Sequence, residues 1–165
     1  MSLALQSGVR NQNFLNESQS HETVDELLRR AHVTVAPATY HLVSLTHGHW
    51  DQILQNPELS PRRDAPFMLL RDDREVTLLL EEDDWRVIRY AARDAKTESG
   101  FRLVTLDIEL DWSVVGFLAY VTRILADAGI AVGALSAFSR DHLLIKQKDL
   151  AKALRALGEH TTDLC

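Results

Sequence analysis

Apolar residues first recur with helical spacing near the start of the chain. Val24, Leu27, Leu28 and Ala31 fall at i, i+3, i+4 and i+7, the stripe of a short amphipathic helix with one buried side. The residues before it, 1–20, are rich in Asn, Gln and Ser and read as a loose lead-in. Pro37 interrupts the chain after this helix, and residues 40–45 then form an apolar run of strand length. Residues 47–60 read as a loop or short helix broken by Pro57 and Pro61. Two further apolar runs, 67–70 and 76–80, flank the charged turn Arg71-Asp72-Asp73-Arg74, which is the pattern of a hairpin. Residues 81–84 close its second strand, 85–92 read as helical, and the polar stretch 96–100 reads as a spacer and candidate domain boundary.

The pattern sharpens in the second half. Val104, Leu106, Ile108 and Leu110 alternate with Thr105, Asp107 and Glu109, as in a strand buried on one face. Val114, Phe117, Leu118, Val121, Ile124, Leu125 and Ala128 share one helical face, and Gly129 stands where that helix should stop. Residues 130–138 read as a strand, 139–141 as a turn and 143–145 as the returning strand. Leu150, Ala153, Leu154 and Leu157 mark a last helix, with Gly158 after it. Strand, helix, strand, strand, helix packs as one helical layer on a mixed or antiparallel sheet, an α+β sandwich. The apolar–charged–apolar hairpin of the first half is repeated near residue 140, which points to an internal duplication.

Composition narrows the class. Of the 165 residues 45% are apolar and 25% charged, as expected for a soluble globular protein with one or two small domains. The net charge of −6, with Arg29-Arg30 and Arg62-Arg63 as isolated basic pairs, argues against a nucleic-acid partner. The single cysteine, Cys165, forms no internal disulfide and fits a reducing compartment. No apolar run reaches membrane-spanning length and the N-terminus lacks a secretory core, so a cytoplasmic protein without membrane contact is expected.

The chemistry-bearing stretch is Asp111-Trp112-Ser113-Val114-Val115-Gly116, where a strand gives way to a helix. The first amides of a helix have no internal acceptor and carry partial positive charge, so a carboxylate or phosphate is held there without a basic side chain. Gly116 would let a ligand approach the backbone closely. On the other reading Ser113 merely caps the helix and Gly116 relieves a packing clash.

This stretch, with Leu125-Ala126-Asp127-Ala128-Gly129-Ile130 after it, resembles the strand–loop–helix of ACT domains. Ser136-Ala137-Phe138-Ser139-Arg140-Asp141-His142-Leu143-Leu144-Ile145 is similar to the hairpin of the CASTOR-type ACT subfamily, which includes the arginine sensors upstream of the TOR kinase. Residues 67–71 and 75–78 look like the matching hairpin of that subfamily's first, degenerate domain. The resemblance spans roughly residues 40 to 158. It implies tandem ferredoxin-like (ACT) domains of βαββαβ type: an N-terminal extension with a short helix at 1–36, a degenerate ACT-like domain at 37–98 and an ACT domain at 99–165. It also implies an amino acid bound at an interface between domains or chains, and hence a homodimer. The loop positions carried over are Ser113, Val114, Val115, Gly116 and Phe117; the hairpin contributes Asp141, as a partner for a ligand cation, and Ser136, through its hydroxyl. Relatives often carry Thr where this chain has Ala137 and Arg140, and the arginine-sensing members place an acid where Val114 stands. Arginine specificity is therefore not implied, and Asp141 has a second reading as a turn residue bonded to its own backbone.

Other candidates are weaker. His47-Gly48-His49 with His41 nearby offers imidazoles but no recognised metal spacing, and Glu81-Glu82-Asp83-Asp84 reads as the solvated end of a strand. Asp107 and Glu109 share a strand face, either for acid–base work or as its wet side. The expectation is a regulatory module sensing an amino acid, with no cofactor, metal or catalytic residue. An ACT-like oligomerisation module without a ligand is the alternative, and an enzyme or enzyme subunit comes third.

Overall fold

The computed structural model describes residues 22–62, 64–66 and 68–164; the lead-in expected at 1–20 lies outside them, as do Arg63, Phe67 and Cys165. Helix α1 (Val24–Arg30) starts at a reciprocal cap. The Thr23 hydroxyl accepts the Glu26 amide at 3.3 Å and the Glu26 carboxylate accepts the Thr23 amide at 2.8 Å. Then come β1 (His32–Val35), β2 (Tyr40–Leu45), α2 (His47–Gln55) and a single 3-10 turn at Pro57–Leu59. The expected hairpin is β3 (Met68–Arg71) and β4 (Val76–Glu81), followed by α3 (Glu82–Ile88). The second half runs β5 (Lys96–Asp107), α4 (Phe117–Asp127), β6 (Val132–Ser136), β7 (Asp141–Lys146), α5 (Leu150–Gly158) and β8 (Asp163–Leu164). Among the described residues no helix is long and apolar enough to cross a membrane.

All eight strands join one sheet around β5. Val104 pairs with Val35 on one edge and with Leu143 on the other, and Phe101 likewise pairs with Tyr40 and Lys146. Strands β1 and β2 therefore follow one another along one edge of β5, while β7 and then β6 continue from its other edge. Every pairing is antiparallel except that of β1 with β8. The order β3-β4-β2-β5 is that of a βαββαβ unit whose last strand is the first half of β5. In the second unit β5, β7 and β6 repeat the order, and the place beside β5 for a fourth strand is filled by β1, with β8 outside it. The fold is thus α+β, with ferredoxin-like units that share β5.

Residues 96–100, expected as a spacer, are the start of β5. They read as loop because Lys96, Glu98 and Ser99 are exposed, so one face of this segment is wet. The ladder to β2 shifts register between Tyr40 and Leu42, and Gly100, opposite that step, has φ 76°. Residues 82–84, expected to close a strand, form the first turn of α3, where three acids favour the positive end of the helix. Strands β1 and β8 leave no periodic trace in the sequence.

Alternation along β5 divides the core. Val104 and Leu106 pack under α1, α4 and α5 with Leu28, Val33, Val121, Leu125 and Leu157. Leu103 points to the opposite face, where it meets Tyr40, Leu79 and Leu144. A separate cluster, including Val43, Leu45, Trp50, Leu78 and Ile88, fills the space between the first half of the sheet and its helices. On this open face lies a hollow of about 690 Å³ lined by Leu79, Leu103, Leu135, His142 and Leu144 among others.

Candidate functional site

Strand β5 ends at Asp107, and the chain turns through residues 108–116 before α4. Asp111 organises this turn: its side-chain Oδ1 accepts the Ser113 amide at 2.8 Å and its carbonyl accepts the Val114 amide at 3.0 Å. The Ser113 hydroxyl, and then its amide, hold the Asp111 carboxyl below its usual range. The helix begins later than the apolar stripe suggests, because its N-cap is Gly116, at φ 90° and ψ 2°. No side chain caps it. The first internal bond runs from the Tyr120 amide to the Gly116 carbonyl at 2.9 Å, so the amides of Phe117, Leu118 and Ala119 have no acceptor within the helix. Ser113 does not cap α4, and a Cβ on Gly116 would meet nothing within 4 Å. Glycine answers a need for left-handed backbone there, not for space.

The β6–β7 hairpin faces this end of α4. Its tip is closed by the Ala137 amide donating to the Arg140 carbonyl at 2.9 Å. Ser136 and Asp141 are paired across the ladder, and the Ser136 hydroxyl donates to Asp141 Oδ1 at 2.5 Å. Arg140 reaches back to Asp107 Oδ1 at 3.2 Å, tying the hairpin tip to the end of β5. Phe138 on the tip stands edge-on to Trp112 of the facing loop, with ring centroids 6.4 Å apart and planes at 64°. Both rings are open to solvent, at 87% and 83% exposure.

Between loop and hairpin lies a cavity of about 350 Å³. It brings together five of the residues singled out in the sequence: Val114, Gly116, Phe117, Ser136 and Asp141. Ser113 and Val115 turn instead to a neighbouring hollow of about 330 Å³, shared with Glu22, Val24 and Val114. Leu110, Trp112, Leu118, Phe138 and Arg140 also line the main cavity, and none of them is among the ligand contacts expected from the sequence. A signal for two of them is present, since Trp112 and Phe138 are lone aromatics in polar turns.

Several other candidates are engaged elsewhere, and Glu109 lies beyond the end of β5 and not on a strand face with Asp107. His41 is buried, with Nδ1 2.9 Å from the Ser99 hydroxyl and Nε2 against the Glu82 carboxylate, which pins β2 to β5 and α3. The His41 bond holds the Glu82 carboxyl below its usual range. His47 Nε2 lies 2.9 Å from the Asp72 carbonyl. In the acidic run, Glu81 and Asp84 pair with Arg62, and Asp83 pairs with Arg86. Among the described residues no group of three or more His, Cys, Asp or Glu side chains is placed to hold a metal ion.

Residues 96–159 match the family model of the ACT domain. No curated protein matches the chain. Solved structures resemble it in fold. A protein from Agrobacterium tumefaciens aligns with a TM-score of 0.65 at 19% identity, over 82% of this chain and 92% of that one. A Vibrio cholerae protein described as of unknown function, possibly in transport, aligns at 0.60 and 22%, over 83% and 94%. The regulatory subunit of aspartate kinase from Thermus flavus aligns at 0.63 and 13%, over 78% and 96%. At such identities the likeness is one of fold. The match to the ACT domain model runs from the first residue of β5 to the residue after α5.

Proposed function

We propose that this protein is a regulatory module that binds an amino acid in the cavity between α4 and the β6–β7 hairpin. One observation carries the reading: the uncapped amide end of α4 and the carboxylate of Asp141 line the same small cavity. A free amino acid carries both complementary charges. Its carboxylate would take the amides of Phe117, Leu118 and Ala119, where the helix dipole favours an anion. Its ammonium would take the Asp141 oxygen left free by Ser136, in a charge-assisted bond. The likeness in fold to the aspartate kinase regulatory subunit supports a regulatory role over a catalytic one.

Regulation follows when the ligand prefers one arrangement of the units or chains over another, since only differential affinity shifts a population. The cavity opens beside the exposed side chains of Trp112 and Phe138, and exposed Val115 lies in the same loop at the neighbouring hollow. A second copy of the chain seated there would bury these groups and close the cavity, which gives a ligand-sensitive homodimer. The same apolar patch supports a second reading, an oligomerisation module that binds no ligand.

Thermal melting of the chain with each of the twenty amino acids separates the two. At a hundredfold excess over Kd a ligand adds about 2.7 kcal/mol to stability, so at least one amino acid should raise Tm. Gly116→Trp, placing a bulky ring at the cavity wall, should abolish that rise. An absence of any rise, with self-association intact in wild type and Gly116→Trp alike, would favour the module without ligand.

A further inference from the structure

We propose that the amino acid taken by this cavity has a large apolar side chain, an aromatic one above all, and that Trp112 and Phe138 select it. The proposal rests on the amino-acid reading above and concerns the part of the ligand that reading leaves open. Once the backbone carboxylate and ammonium are placed on α4 and Asp141, the charged groups of the wall have little left to offer a side chain. Arg140 is held by Asp107 at 3.2 Å. Asp111 is turned into its own loop, accepting the Ser113 amide at 2.8 Å. Asp141 already accepts from Ser136 and would face the ammonium. A charged ligand side chain would therefore have to share Arg140 or Asp111 with the partners they already hold, whereas the two rings are uncommitted.

What remains of the wall is apolar. Val114 lines the cavity beside the N-terminal turn of α4, and Trp112 and Phe138 stand on its two opposing walls, one from the loop and one from the hairpin. Their edge-to-face contact at 6.4 Å lies within the favourable range for aromatic pairs, about 4.5–7 Å. Each ring keeps most of its surface open, at 83% and 87% exposure, so the pair can receive a third apolar group. The volume, about 350 Å³, lies at the small end of ligand pockets, about 300–1,000 Å³, and suits one amino acid better than a peptide or nucleotide.

Isothermal titration of the full chain with L-phenylalanine, L-leucine, L-lysine and L-glutamate tests this. Phenylalanine and leucine should bind about tenfold or more tighter than lysine and glutamate. Trp112→Ala and Phe138→Ala should each weaken phenylalanine by about 2- to 10-fold, with the Tm of the unliganded variants checking that they fold. Tighter binding of lysine or glutamate would overturn the selectivity and leave the amino-acid reading standing. Phenylalanine binding untouched by both variants would overturn the role of the two rings. Binding of none of the four, with a Tm rise only from a small or polar amino acid, would overturn this inference alone, and no rise from any of the twenty would overturn both.

Discussion

Val33 of β1 lies directly opposite Leu106 of β5, and both side chains are fully buried beneath the helices of the second unit. A segment near the N-terminus thus supplies the strand that completes the sheet of residues 96–159. A chain beginning at residue 37 would expose that edge of β5 and part of the core. It should lose its sharp thermal transition, or melt far below the full chain. Within the full chain, Leu106→Ala should cost about 2–5 kcal/mol in urea denaturation. An unchanged midpoint for the shortened chain would show that β1 is dispensable, and one for Leu106→Ala that this position does not carry the core.

Gly116 carries the turn into α4 at φ 90°, a conformation that L side chains rarely adopt. Space is not the obstacle, since a Cβ there touches nothing. Gly116→Ala should therefore destabilise by about 1–3 kcal/mol through backbone strain alone, and Gly116→Asn by less, because Asn tolerates left-handed backbone. Chemical denaturation of both variants checks the order; equal stability of Ala and wild type would contradict it.

How legible these features were depends on the length of the elements. The β3–β4 hairpin, the second half of β5, α4, the β6–β7 hairpin and α5 each repeat an apolar period often enough to be read, whereas the polar start of β5 reads as a spacer. Strand β1 shows only Val33 and Val35 before Ala36 and Pro37, and β8 is Asp163–Leu164 alone; both exist because β5 offers an unfilled edge, a tertiary fact with no local trace. The start of α4 is misread from the pattern because Val114 fits the helical stripe while lying in the turn that Asp111 holds. The cavity was half legible. The free amides of a helix start pointed to Gly116, and Asp141 came with the resemblance of the hairpin, but the facing of Trp112 and Phe138 depends on how the hairpin sits against the loop.

Asp141→Asn keeps the shape of the hairpin and an acceptor for Ser136 while removing the charge. Amino-acid binding should weaken by about 1.5–3 kcal/mol, the worth of a hydrogen bond to a charged group. The unliganded chain should melt close to wild type. Titration calorimetry and a melting curve read the two effects; an undiminished affinity would remove Asp141 from the site.

His142 lies half-buried in the hollow between the sheet halves, its Nδ1 2.9 Å from the Thr105 hydroxyl. Burial, and then Arg140, hold its pKa below the ordinary 6.5, against the opposing pull of Asp141 and Asp107. In the window from 6.5 down to the folded value, the unfolded chain binds the proton that the folded chain refuses. Stability therefore falls as pH falls through that window, and is fully present above it. His142→Gln should flatten the dependence of the urea midpoint on pH below 6.5. The same slope in both proteins would assign it to other groups.

The most direct test of the central claim is amide chemical-shift mapping of the chain titrated with the amino acid that gives the largest rise in Tm. Ligand seated as proposed should move the amides of Phe117, Leu118 and Ala119 together with those of the hairpin from Ser136 to Asp141, and Gly116→Trp should suppress both. Saturable binding that leaves these amides in place and shifts another surface would contradict it.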